Sequence, residues 1–121
     1  EALASLDVSS FNTQNVANME CMFINCSSLT SLDLSLFNTS NVTNMNLMFT
    51  SCFNLTSLDL SNFSFGKIPT VELMFKYVGT RANNQPIHVK VSAGGYTYLT
   101  ERDCDIDAAN AKFVKPDGTD W

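Results

Sequence analysis

The stretch LTSLDLSLFNTSNVTNMNLMFTSCFN, Leu29 to Asn54, decides the fold because it repeats what precedes it. Leu3 to Ser28 overlays it at a shift of 26 residues with 15 identities in 26 positions. A third copy starts at Leu55 with Leu58, Asp59, Leu60 and Ser61 in phase. It then keeps only the apolar positions, Ile68, Val71, Leu73, Met74, Phe75 and Val78 standing for Val42, Met45, Leu47, Met48, Phe49 and Cys52. Self-similarity at a period of 20 to 50 residues is the mark of units that bury their apolar faces by stacking on one another.

Within a unit, Leu6 and Val8 alternate with Ser5, Asp7 and Ser9, the period of a strand with the aliphatic residues facing in. Asn12-Thr-Gln-Asn15 is a turn-forming group. Asn18 then stands as an N-cap before Met19, Met22, Phe23 and Cys26, whose i, i+3, i+4, i+7 spacing predicts one face of a short helix. The expected unit is strand, turn, short helix, turn. Stacked strands form a parallel sheet whose equivalent residues sit ~4.8 Å apart, with Leu6, Leu32 and Leu58 in one column and Phe11, Phe37 and Phe63 in another.

The run from Leu29 to Phe49 resembles the 26-residue repeat of BspA-type leucine-rich surface proteins of bacteria, over residues 3 to about 78. That resemblance implies an α/β repeat fold, a right-handed β–α leucine-rich-repeat solenoid with a parallel sheet. It also implies an extracellular place on a bacterial cell surface and a role in adhesion or protein binding. Residues 1–80 are expected to hold three repeats and 81–121 a C-terminal cap. In that segment Ile87, Val89 and Val91 alternate with His88, Lys90 and Ser92 as one more strand. Gly94-Gly95 signals a turn, Tyr96 to Arg102 is read as a short helix over a return strand, and Ala111 to Val114 as a last strand. The cap hides the last core face; with none before Leu3, the array is expected to continue upstream.

Charge and composition narrow the function. All seven Lys and Arg lie after position 66, so the first half, with Glu1, Asp7, Glu20, Asp33 and Asp59, offers nothing to displace counterions from a phosphate backbone. Nucleic acid is not an expected partner. No run approaches the ~18 apolar residues of a membrane span, and the first residues lack the basic and apolar stretches of a signal peptide.

Candidate chemistry is sparse. The four cysteines, Cys21, Cys26, Cys52 and Cys104, form no Cys-x-x-Cys pair, and the repeat replaces the first three with Leu or Val elsewhere, which marks apolar positions. A Cys26 to Cys52 bridge stays open, against the parallel side-chain vectors. Asp103-Cys-Asp-Ile-Asp107 begins like a calcium loop but has Ala108 at position six and Val114 at position twelve. The one histidine, His88, lies in an alternating strand, and no nucleophile–base pair accompanies it. No catalytic residue, metal or cofactor is expected, and the five Asn-x-Ser/Thr matches follow from the repeat.

The candidate ligand-binding residues are therefore the outward ones of the sheet: Ser5, Asp7 and Ser9, then Ser31, Asp33 and Ser35, then Ser57, Asp59 and Ser61. Three stacked like charges repel. Lys90 extends the Asp column if Val89 aligns with Leu58. Two roles are open for the aspartates: recognition, or a bond to loop backbone within their own repeat. The expected partner is a host or neighbouring-cell protein or glycan; the rival is a structural spacer that displays another domain and binds nothing.

Overall fold

The computed structural model describes residues 5–80 and 86–121. Leu3, where the first repeat starts, and Arg81, where the repeat is expected to end, lie outside them. The chain forms short parallel strands in two sheets and one helix, an α/β arrangement. The elements run β1 (Ser5–Leu6), β2 (Ser31–Leu32), β3 (Ser57–Leu60), β4 (Ile87–Val91), α1 (Ala93–Thr100) and β5 (Ala111–Val114).

Equivalent positions of successive repeats lie side by side. β1 pairs β2 in parallel with Ser5 opposite Ser31 and Leu6 opposite Leu32. Further along, Asn18, Asn44 and Thr70 form a parallel row of bridges. Phe23, Phe49 and Phe75 stack with ring centroids 5.8 and 5.9 Å apart, inside a core that also holds Met19, Met45, Met48, Met74, Leu55 and Leu58.

Several expectations are corrected. The sheet is not continuous: β1 and β2 form one sheet, and β3, β4 and β5 another. β1 and β2 are each followed at once by a turn in which an Asp carboxylate takes the N–H of the Ser two residues on, as Asp33 does from Ser35 at 2.9 Å. Between the sheets the join is made outside the strands, by the Thr56 N–H and hydroxyl, both donating to the Thr30 carbonyl. The first members of the two columns are also not core. Leu6 is 37% and Phe11 47% exposed, whereas Leu32, Leu58, Phe37 and Phe63 are buried; the first copy has a described neighbour on one side only.

A further correction concerns the predicted helix at 18–26, which is a ribbon of overlapping turns. Met22, Ile24 and Cys26 donate back to the carbonyls of Met19, Cys21 and Phe23, three residues earlier. The intervening N–H groups of Met19, Cys21, Phe23 and Asn25 donate to Asn44, Asn46, Met48 and Thr50 of the next repeat at 2.8 to 3.0 Å. The second repeat does the same, Met45, Leu47, Phe49 and Ser51 donating to Thr70, Glu72, Met74 and Lys76. A helix would satisfy these donors internally; the ribbon spends them on cohesion between units. The cost is a positive φ at Cys21, Asn25, Leu47, Ser51, Leu73 and Tyr77, as turns with a left-handed third residue require. The inward residues are those the helical spacing marks, since Met19 and Phe23 with their equivalents are buried.

Beyond the repeats, β4 falls where the alternation places it and lies parallel to β3, with Leu58 opposite Val89 and Asp59 opposite Lys90. β5 pairs β4 in turn. Helix α1 starts at Ala93, earlier than expected, because the Ser92 side chain accepts the Gly95 N–H at 3.0 Å as an N-cap. Gly95 also lets the helix close on the core, since a Cβ there would lie 3.2 Å from the Phe65 ring. Tyr98 stacks on Phe65 at 4.9 Å and its hydroxyl donates to the Pro69 carbonyl.

Candidate functional site

The outward residues of the three strands share one surface: Ser5, Asp7, Ser9, Ser31, Asp33, Ser35, Ser57 and Asp59 are exposed, and Ser61 and Lys90 are half-buried. Alternation places them there, with Val8, Leu34 and Leu60 buried between them. Each aspartate is held within its own repeat. Asp7, Asp33 and Asp59 accept the N–H of Ser9, Ser35 and Ser61, each at 2.9 Å, and the Ser61 hydroxyl also donates to Asp59 at 2.6 Å. These bonds have an electrostatic effect. Donation by the Ser9 hydroxyl and N–H holds the Asp7 carboxyl below the usual carboxylate range. The Ser35 N–H and hydroxyl do the same for Asp33, against a smaller opposing effect of burial and of the Asp7 charge. Both bonds favour the charged form of Asp7 and Asp33, and Lys90 follows Asp59 in register. Between the first two units, Leu6, Asp7, Val8, Ser9, Asp33, Ser35 and Leu36 line a dimple of about 50 Å³.

Other candidates resolve into structural roles. Cys21, Cys26, Cys52 and Cys104 are all free thiols. Burial pushes Cys52 up to about 12 and Cys104 to about 11, and the Cys52 thiol donates to the Phe23 carbonyl at 3.2 Å. In the acidic run, Asp103 accepts the Asp105 N–H, and Asp107 accepts the Ala109 N–H and the Asn110 amide, so the carboxylates bond within the loop. Among the described residues no group of three or more His, Cys, Asp or Glu is placed to hold a metal ion. His88 is exposed on β4 opposite Ser57.

The sequence reading missed a set of side chains that tie repeat to repeat. The Asn38 N–H donates to the buried Thr13 hydroxyl, and the Ser64 N–H to the buried Thr39 hydroxyl, both at 2.8 Å. Asn41 and Asn54 reach back to the carbonyls of Gln14 and Ser27, both at 2.7 Å. Their signal was the return of Asn-Thr-x-Asn at a fixed phase, which turn propensity alone does not require.

A chain whose units reproduce the same turns, inter-unit bonds and outward Asp–Ser pairs is a repeat protein built on short parallel strands. Residues 1–93 match the family model described as Mycoplasma protein of unknown function, DUF285, and the chain belongs to that family. The match is consistent with a surface repeat family of the BspA type. No curated protein and no solved structure matches the chain. Among the described residues, no helix is long and apolar enough to cross a membrane.

Proposed function

We propose that the chain is a cell-surface interaction or adhesion module of the BspA type, whose 26-residue units stack as a right-handed solenoid closed by residues 81–121. The observation that carries this reading is the exposed row of Asp7, Asp33 and Asp59 flanked by serines. Like charges gathered on one face repel one another, and a folded chain keeps such a row most usefully where a partner supplies the countercharge or the hydrogen-bond donors. A host or neighbouring-cell protein or glycan has such donors; a nucleic acid does not fit the sign of the charge. The module needs no cofactor and turns nothing over.

The test separates charge from turn. Asp7→Asn, Asp33→Asn and Asp59→Asn together keep an oxygen for each Ser N–H and remove the charge. Binding of the full chain to a glycan array and to intact host cells should fall at least tenfold in this variant, while its circular dichroism spectrum stays that of the folded chain. The spacer reading, favoured by the bonds each aspartate makes inside its own repeat, predicts no binding by either form.

A further inference from the structure

The turn ribbon ends on donors that meet no acceptor among the described residues. In the third repeat the chain keeps the conformation of the first two: Met74 donates to Val71 and Lys76 to Leu73. Leu73 has φ 56°, as Cys21 and Leu47 have 60°. Its alternate N–H groups therefore aim as theirs do, away from the second repeat. Met19 and Cys21 meet the carbonyls of Asn44 and Asn46, and Met45 and Leu47 those of Thr70 and Glu72. Past the third repeat only the Phe75 N–H is met, by the Cys104 carbonyl at 3.0 Å. The N–H groups of Val71 and Leu73 have no acceptor among the described residues, although Val71 is buried. Almost all buried backbone donors find a partner, because one left without keeps the full penalty of losing its water.

At Val71, and continuing to its neighbour Glu72, is a cleft of about 410 Å³, lined by Ile68, Pro69, Val71, Glu72, Tyr98 and Arg102 among others. Its size falls within the ~300–1,000 Å³ of ligand sites. Ile68, 69% exposed, gives it an apolar wall. The Tyr98 ring is covered by Phe65 and by the Arg102 guanidinium, which lies 3.6 Å from its centre and donates to the Tyr98 carbonyl. Glu72 and Asp103 leave the lining with one net negative charge.

We infer that this cleft binds a short, uncharged, extended peptide segment of a partner, which adds to the third repeat as another rung. Two of its carbonyls, two residues apart, accept from Val71 and Leu73, and an apolar side chain rests on Ile68. The chain itself shows the occupant's geometry twice, in the segments that receive Met19 and Cys21 and then Met45 and Leu47. This is edge addition, in which main-chain bonds give affinity and side-chain pockets give selectivity. The site is separate from the aspartate row.

The probe is the doubly blocked tetrapeptide Asn-Met-Asn-Leu, the sequence of residues 44–47, titrated into the isotope-labelled full chain and followed by amide NMR. The Val71 and Leu73 cross-peaks should move with dose and their hydrogen exchange slow at least tenfold, with the Met19, Cys21, Met45 and Leu47 amides unmoved. Ile68→Trp, at an exposed position, should block the shifts. The inference is overturned if Val71 and Leu73 exchange slowly without peptide. It is also overturned if millimolar peptide leaves their peaks in place, moves the β5 edge instead, or shifts them equally in Ile68→Trp. Should that variant fail to fold, the exchange rates of the unaltered chain decide.

Discussion

Ile68 has φ 53° and is 69% exposed, so a β-branched side chain sits in the left-handed region with little burial to offset the strain. That strain is of order 1–2 kcal/mol. Replacing it with asparagine, which tolerates the conformation, should raise stability by about 1 kcal/mol, read as a higher denaturant midpoint at unchanged m-value. At Cys52 and Cys104 the environment acts on chemistry. Reactivity belongs to the thiolate, and burial lifts these thiols to about 12 and about 11. In the folded chain at pH 8 they should react with a thiol reagent only as fast as the protein opens, well after Cys21; equal rates for all four would contradict their burial.

Just past β1 and β2 the Asp7 and Asp33 carboxylates accept the N–H of Ser9 and Ser35, and this makes these elements sensitive to acid. The folded-state values of Asp7 and Asp33 lie below the unfolded one, mainly through the Ser9 hydroxyl and the Ser35 N–H. Their contribution is present above about pH 4 and disappears as pH falls through the lowered folded values. Asp33→Ala should therefore lower the melting temperature at pH 7 and flatten its acid dependence. Asp33→Asn, which keeps an acceptor but not the charge, should fall between wild type and Asp33→Ala at neutral pH. The strand positions, the columns and the register of Lys90 with Asp59 were legible because alternation and a period of 26 residues fix which side chains face the same way. The ribbon at 19–26 was not. Met19, Met22, Phe23 and Cys26 face inward at helical spacing in either conformation, and the deciding fact, that alternate N–H groups bond to the next repeat, is non-local. The turn role of the aspartates was one of two readings that residue type leaves open, and the donors left on Val71 and Leu73 depend on where the repeat stops.

Across the whole molecule, cohesion comes from columns that gain partners on both sides. Phe49 stacks between Phe23 and Phe75 and is fully buried, whereas Phe11 has Phe37 on one side and is 47% exposed. Phe49→Ala should cost about 3–5 kcal/mol in chemical denaturation, and Phe11→Ala under about 1 kcal/mol, as for a mostly exposed surface position. The ribbon adds a consequence for symmetry. Its alternate N–H groups all run from one repeat to the following one, so one rim of the ribbon carries donors and the other the matching acceptors. Two identical donor rims cannot bond to each other, which rules out a two-fold, self-matching pairing of copies through this ribbon. Any contact made there joins unlike ends, a heterologous geometry that grows into rows unless something terminates it. The Cys104 carbonyl on Phe75 is where this chain supplies such a termination.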